Sequence, residues 1–223
     1  MSKYNIYKNI NTNIFRGYDI RAIYGKDLNE DIAYTIGLSF GSYIREKGYE
    51  KCVVGHDNRV SSEPLADALL EGITSTGVNV VYLGLCTTPM YNYAQKKLEI
   101  DPGVMITASH NPKEYNGFKI AFDDFGNACG QMIQDFRVYT EEGNFKSGEG
   151  KVSTYDIKQE YLDAIKASIN LGDRKVKVVV DTANGTASII AREVYEMFDG
   201  VELVPLYMES NPEFPNHHPD PSV

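Results

Sequence analysis

Between Asp31 and Gly48 the apolar residues Ile32, Ile36, Phe40 and Ile44 recur at every fourth position, and Gly48 stands where such a helix stops. Lys51 to Gly55 is a short apolar run closed by glycine and reads as a buried strand. Ser61-Ser62-Glu63-Pro64 sets a hydroxyl cap before an early proline, predicting a second helix that Gly77 ends. Val78 to Leu83 reads as a strand, Thr88 to Leu98 as a helix and Gly103 to Thr107 as another strand. Strands joined by helical connections of this size predict right-handed crossovers and a largely parallel sheet. Phe118, Ile120 and Phe122 then alternate with Lys119 and Ala121, the period of a half-exposed strand. Asp123-Asp124-Phe125-Gly126-Asn127 supplies turn residues for a hairpin, so the sheet should be mixed. Residues 130–140 read as a closing helix and 141–151, polar and glycine-rich, as a linker.

A second unit is expected from near Ser153. It comprises a helix over Tyr155 to Ile169, a strand over Val176 to Asp181, a helix over Gly185 to Phe198 and a strand over Val201 to Leu206. One β-α-β unit cannot cover both faces of a parallel sheet. The predicted fold is therefore α/β: a mixed, mostly parallel sheet sandwiched by helices over residues 1–150, then an incomplete second α/β domain of similar type over 151–223.

Charge and composition narrow the function. Among 223 residues, 31 acidic against 22 basic side chains give a net charge of −9, which argues against a generally basic nucleic-acid-binding face but leaves room for a local cationic pocket. Cys52, Cys86 and Cys129 are odd in number, far apart and without a CxxC pair, which suits a reducing compartment. The first fifteen residues hold no continuous apolar run, and no stretch approaches the roughly 18 apolar residues of a membrane span. A soluble, cytoplasmic protein with no membrane or nucleic-acid partner is expected.

Ligands of α/β sheets bind beyond the carboxyl ends of the strands. The loops there are His56-Asp57-Asn58-Arg59, Cys86-Thr87-Thr88-Pro89 and Ala108-Ser109-His110-Asn111-Pro112-Lys113-Glu114-Tyr115-Asn116-Gly117, and only the third is chemically dense. Ser-His-Asn-Pro could be turn chemistry alone. The loop lacks the GxSxG of a hydrolase, adjacent Ser and His side chains rarely meet in triad geometry, and no GxGxxG or P-loop pattern occurs. These residues on their own indicate either a structural turn or a nucleophilic or phosphate-binding serine. Asp57 and Arg59 read as a structural ion pair. His217-His218-Pro219-Asp220 reads as a connection rather than a zinc site, since adjacent histidines do not readily share one ion.

Thr107-Ala108-Ser109-His110-Asn111-Pro112, followed by Tyr115-Asn116-Gly117-Phe118-Lys119, resembles the phosphoserine loop of the α-D-phosphohexomutases. Phe15-Arg16-Gly17-Tyr18-Asp19-Ile20-Arg21, Val54-Gly55-His56-Asp57-Asn58-Arg59, Thr87-Thr88-Pro89, Val179-Val180-Asp181-Thr182-Ala183-Asn184-Gly185 and Phe214-Pro215-Asn216-His217-His218-Pro219-Asp220-Pro221 agree in order and spacing. The resemblance covers essentially the whole chain and is nearest the phosphomannomutase/phosphoglucomutase branch. Ala22 departs from it, standing where the family usually has glycine.

The resemblance implies a serine that passes a phosphoryl group to a hexose phosphate. It then recovers the other phosphate from the hexose 1,6-bisphosphate intermediate, exchanging the 1- and 6-positions. Ser109 would be the carrier, with Mg²⁺ on its phosphate. Arg21 and Lys119 would neutralise charge, His110 and Asn111 would shape the loop or touch phosphate, and Tyr18 would lie near the sugar. Such chemistry is mostly positioning and electrostatics, so cations around the serine are needed in an acidic chain. The family enzyme has four domains, of which this chain resembles the first and part of the second. Its aspartate-rich metal loop and the sugar- and phosphate-reading loops have no match here. The chain alone is therefore expected to bind Mg²⁺ weakly or not at all and not to turn over substrate. Self-association through Val176–Val180 or Val201–Leu206 is also expected. The alternative is a natural truncated module that binds sugar phosphate or a protein partner without catalysis.

Overall fold

A computed structural model describes residues 2–124 and 126–222. Six strands form the main sheet: β1 (Ile20–Ile23), β2 (Lys51–His56), β3 (Asn79–Leu85), β4 (Gly103–Ile106), β5 (Tyr115–Ala121) and β6 (Val152–Thr154), in the order β1-β5-β4-β2-β3-β6. β2 runs parallel to β3 and β4, and β3 runs parallel to β6. β5 is antiparallel to both of its neighbours, so it is the one reversed strand and the sheet is mixed as expected.

Alternation along the strands divides the core in two. Cys52, Val54, Val104, Ile106, Phe118 and Ile120 face a layer built from α1 (Glu30–Glu46), α2 (Ser62–Thr74) and α4 (Gln131–Glu142). Asn29 starts α1 by accepting the Ile32 N–H at 3.0 Å. Val53 and Met105 face the other way, into a cluster with Tyr91 of α3 (Thr88–Leu98), Leu162 of α5 (Lys158–Ser168), and Ile190. That second cluster is shared by both units and joins them through apolar packing.

The second unit holds a parallel pair, β7 (Val176–Asp181) and β8 (Val201–Leu206), with α6 (Ala191–Glu196) between them. Val176, Val178 and Val180 are half-buried, while Val179 on the other face is 61% exposed. None of the described helices is long and apolar enough to cross a membrane.

Several details differ from the sequence reading. Ser61 has helical backbone angles and caps nothing with its side chain, because its Oγ accepts from Asn116 Nδ2 at 2.8 Å. The strand over 118–122 is buried on both faces at Phe118, Ile120 and Ala121, since β1 covers its outer edge. β1 itself, four residues long, has no clear periodic signal. The hairpin turn is partly legible: Asn127 bridges back to Ala121, whereas Phe125 lies outside the described residues. The stretch 141–151 does not hang free. Gly148 and Gly150 donate to the carbonyls of Ser75 and Thr74, which feeds β6 into the main sheet beyond residue 150. The helix over 185–198 is split into a 3-10 turn (Thr186–Ile189) and α6, because Ile190 adopts a φ of −139° and Ser188 Oγ is held by Thr182 Oγ1 at 2.8 Å.

Candidate functional site: a serine loop at a cleft between the two units

Ser109 follows β4 directly and is exposed. Its φ is +57°, a left-handed conformation that a non-glycine residue keeps only when its surroundings hold it there. Thr107 Oγ1 accepts the Ser109 N–H at 3.0 Å, and Asn111 N–H donates to Ala108 carbonyl at 3.1 Å. Ser109 Oγ lies 3.2 Å from His110 Nδ1. The neighbouring serine and imidazole thus do meet, because the left-handed turn at Ser109 swings the two side chains together.

The loop rests on a buried ion pair. Arg59 Nε donates to Asp57 Oδ2 at 3.1 Å, with exposures of 4% for Arg59 and 6% for Asp57. Ser62 Oγ donates to Asp57 Oδ1 at 2.5 Å, and the Arg59 N–H donates to the same oxygen at 3.1 Å. Burial draws the Arg59 guanidinium below its usual range, while the Asp57 carboxylate beside it pulls it back up. The pair expected from sequence is present. In addition, the remaining guanidinium protons reach three carbonyls of the serine loop: Ser109 at 3.1 Å, Asn111 at 2.7 Å and Pro112 at 2.7 Å.

Strand register brings Arg21 to the same place. Thr107 N–H donates to Gly117 carbonyl at 3.0 Å and Gly117 pairs with Arg21, so Thr107, Gly117 and Arg21 form one row across three strands. A Cβ on Gly117 would sit 1.9 Å from the Ile20 carbonyl, so only glycine fits this crossing. Arg21 Nε donates to Asp19 Oδ2 at 3.0 Å and its Nη2 reaches the same oxygen; Nη1 donates to Asn111 Oδ1 at 2.7 Å. Asp19 Oδ1 is buried without a partner among the described residues. Lys119 pairs in register with Met105, the next row down on the same face of β5 as Gly117. It is half-buried and has no hydrogen bond or ion pair with another described residue. Tyr18 is 62% exposed and bonds to no part of the loop. Ser109, His110, Asn111 and Arg21 are therefore joined directly, Lys119 is placed by register, and Tyr18 stands apart.

A cleft of about 560 Å³ separates the units, with Thr87, Thr107 and Ser109 on one wall and Asp181, Thr186 and His217 on the other. Asn58 bridges it: its N–H donates to Thr186 Oγ1 at 3.1 Å, and its Nδ2 donates to Asn184 carbonyl at 2.9 Å. His217 Nε2 lies 3.0 Å from Asp181 Oδ2 and its Nδ1 2.8 Å from the His218 carbonyl. With an acceptor at each ring nitrogen, the protonated imidazole is favoured and its pKa is raised, first by the His218 carbonyl and then by Asp181. Sequence reasoning missed the carbonyl clamp and the Asp181–His217 pair. Backbone acceptors leave no mark in a sequence, and the pair joins loops 36 positions apart. Among the described residues no group of three His, Cys, Asp or Glu could hold a metal ion, and Asp57 and Asp181 are committed to Arg59 and His217. The side chains present do not by themselves fit Mg²⁺, which needs several oxygen ligands.

Comparison with known proteins identifies the fold. Residues 12–142 match the model of phosphoglucomutase/phosphomannomutase alpha/beta/alpha domain I, and residues 159–223 match that of domain II. A phosphomannomutase/phosphoglucomutase of Pseudomonas aeruginosa is 42% identical over 211 residues, covering 93% of this chain and 44% of that protein. A phosphoglucomutase of Neisseria gonorrhoeae is 37% identical over 96% of this chain and 46% of its own. The crystal structure of a phosphoglucomutase/phosphomannomutase family protein from Burkholderia thailandensis superposes with a TM-score of 0.89 at 36% identity, covering 96% of this chain and 48% of that one. The chain thus spans a little under half the length of the relatives it matches. With two consecutive family domains matched, a fold in common and Ser109 at the head of β4, the chain belongs to the phosphoglucomutase/phosphomannomutase family.

Proposed function

We propose that this chain carries the phosphoryl-accepting half of a hexose-phosphate mutase, with Ser109 as the carrier. The observation that supports it most directly is Ser109 itself: exposed, held at positive φ and in contact with His110, on a cleft of sugar-phosphate size. In the loading step a hexose 1,6-bisphosphate gives up one phosphoryl group. The P–O bond to the sugar breaks as the bond to Ser109 Oγ forms, the Oγ proton passes to His110 Nδ1, and the sugar oxygen takes a proton from solvent and leaves as a hydroxyl while His110 returns its proton to solvent. In the reverse direction phosphoserine donates to the free hydroxyl of a hexose monophosphate. Repeated in the two orientations of the sugar, the steps exchange the 1- and 6-phosphates.

Electrostatics assigns the cations different tasks. Arg21 is largely balanced by Asp19 and Arg59 by Asp57, whereas Lys119 has no partner among the described residues and is left to meet the phosphoserine charge. Arg21, fixed by Asp19 and Asn111, orients donors toward the transferred group. Tyr18 and Asn111 border the sugar phosphate in this reading, and Mg²⁺ on the serine phosphate would need ligands besides the described residues. Three free thiols are consistent with a reducing cytoplasm, and the exposed Val179 and Leu206 make self-association through β7 and β8 the expected behaviour at high concentration.

The test is intact-mass analysis after incubation with glucose or mannose 1,6-bisphosphate. The chain is expected to gain one phosphoryl group, removable by phosphatase, and the Ser109→Ala variant none. A phosphoryl group on any other residue, or none at all on the wild-type chain, refutes the assignment. Since the relatives are about twice as long, interconversion of mannose 1- and 6-phosphate by these residues alone is expected to stay at trace rate.

A further inference from the structure

We propose that Arg59 is a positioning residue for Ser109: its guanidinium holds the serine loop in the one backbone conformation from which Ser109 exchanges phosphate. The inference rests on the reading of Ser109 as carrier, but its physical basis is independent of it. A loop of six residues, Ser109 to Glu114, that starts at a left-handed serine has every tendency to relax, because positive φ at a non-glycine residue is costly and Ser109 and His110 are exposed. Within the loop the backbone supplies only the Asn111-to-Ala108 turn and the Tyr115-to-Pro112 contact. Without Arg59 the carbonyls of Ser109 and Asn111 would look for partners in water, and that of Pro112 would keep only the Tyr115 N–H. Arg59 takes all three at 3.1, 2.7 and 2.7 Å.

Geometry makes arginine the residue for this task. Nε is spent on Asp57, leaving Nη1 for Pro112 and Nη2 for both Ser109 and Asn111, so one planar fork engages four acceptors. Asp57 is itself fixed by Ser62 Oγ and by the Arg59 N–H, so the fork cannot swing. A lysine would bring a point charge and three rotatable donors, too few and too mobile for the same four acceptors. Two consequences follow for the serine. Its left-handed backbone is fixed from beneath, which keeps Oγ against His110. Three carbonyl oxygens are also turned onto the guanidinium and so kept off an anionic serine phosphate, where their dipoles would repel it.

The clamp also reaches the second unit. Phe214, itself at a φ of +48°, lies with its ring 5.6 Å from the Arg59 guanidinium carbon. Lys113, next to the clamped Pro112, pairs with Glu213 at 2.5 Å. The segment that carries Glu213 and Phe214 therefore closes over the far side of the same guanidinium and loop. Arg59 does not itself line the cleft but holds two residues that do, Asp57 and Ser109, so it sets where Ser109 sits from behind the wall.

The test compares the wild-type 223-residue chain with Arg59→Lys, and with Arg59→Met as a second variant, by two readouts. The first is hydrogen exchange of the amides of residues 107–117, with the α1 and α2 amides as an internal measure of global stability. The second is the rate of phosphoryl uptake at Ser109 against concentration of glucose 1,6-bisphosphate. Expected for Arg59→Lys is a loss of loop protection confined to 107–117. The maximal uptake rate should fall by about 100-fold, the cost of misplacing a reacting group by about an ångström, with the half-saturating concentration changed less than threefold. A purely structural role would lower α1 and α2 protection in step with the loop and leave the uptake rate of the remaining folded molecules unchanged. That result, or wild-type loop exchange and uptake in Arg59→Lys, overturns the proposal. If Arg59→Met does not fold, Arg59→Lys, which keeps the charge opposite Asp57, decides alone. If the wild-type chain takes up no phosphoryl group, it is the carrier reading of Ser109 that fails. Loop exchange in Arg59→Lys then still decides whether Arg59 holds the loop.

Discussion

Arg21 Nη1 donates to the side-chain oxygen of Asn111 at 2.7 Å, across 90 positions of sequence, and so ties the first strand of the sheet to the serine loop. Behind it Asp19 is 1% exposed, and among the described residues no other charge answers it. Removing the guanidinium alone would leave a buried carboxylate unpaired. Arg21→Ala is therefore expected to cost about 3–5 kcal/mol of unfolding free energy, and Arg21→Met combined with Asp19→Leu to recover most of it. Urea unfolding of the two variants checks this; equal losses in both would contradict the pairing.

Lys119 contrasts with Arg21, since nothing described balances its charge. Its role, if it is to meet a serine phosphate, is electrostatic and not architectural. Lys119→Met should leave urea stability within about 0.5 kcal/mol of wild type, or raise it, because a half-buried charge is replaced by an apolar chain. It should slow phosphoryl uptake at Ser109 by roughly 100-fold, the usual cost of removing one donor from a developing anion. A loss of stability with unchanged uptake would reverse the assignment.

How far these features are legible in sequence depends on what holds each one. Thr88–Leu98, Val176–Asp181 and Val201–Leu206 fall where the apolar pattern sets them, because their boundaries are local: Thr87 and Pro89 start the helix, and runs rich in valine and leucine make the strands. The split over 185–198 is not legible, although the spacing is helical. Thr186 is tied to Asn58 at 3.0 Å, a contact across 128 positions that no window of sequence contains, and Ser188 is held by the Thr182 hydroxyl, which hydrophobic spacing does not register. β1 escapes notice because it is only four residues long and one of them, Arg21, serves the site and not the core. The serine loop is recognisable by residue type and order, yet its support from Arg59 is not, since the acceptors are backbone carbonyls.

The crossing of β1 and β5 tests the register on which Arg21 depends. A methyl group on Gly117 would strike the Ile20 carbonyl at 1.9 Å, and backbone on both sides leaves no flexible side chain to yield. Gly117→Ala is expected to cost about 3 kcal/mol, the upper end of overpacking, whereas Gly17→Ala, with open space around it, should be near neutral. Chemical denaturation of both variants provides the comparison, and a neutral Gly117→Ala would rule out the register.

The three thiols should separate cleanly. Cys52 and Cys86 are fully buried, and burial raises both thiols, Cys86 to about 12, so neither offers thiolate near neutral pH. Cys129 is exposed. A disulfide-exchange reagent at pH 8 is expected to modify one thiol per folded chain, located at Cys129 by peptide mapping, and all three after denaturation. Rapid reaction at Cys86 in the native chain would mean that the cleft wall opens.

The Asp181–His217 contact sets a pH dependence on the second wall of the cleft. The His218 carbonyl, then Asp181, raise the His217 pKa above its ordinary 6.5. The Ala183 N–H, then His217, hold Asp181 below its ordinary 3.8. A raised histidine contributes stability that is complete below its unfolded pKa and is lost as pH rises through the folded value. A depressed aspartate contributes stability that is present above its unfolded pKa and is lost as pH falls through the folded one. The contact is therefore firmest between about pH 4 and 6.5 and weakens above that window. Both side chains are exposed, so the effect should be local, a loosening of the 217–221 segment and not unfolding. In a proton NMR titration of the four histidines, the His217 ring should titrate above 6.5, and Asp181→Asn should bring it down toward that value. A His217 ring that titrates below 6.5, or that is indifferent to Asp181→Asn, would show that this charge pair does not hold the 217–221 segment on the second wall.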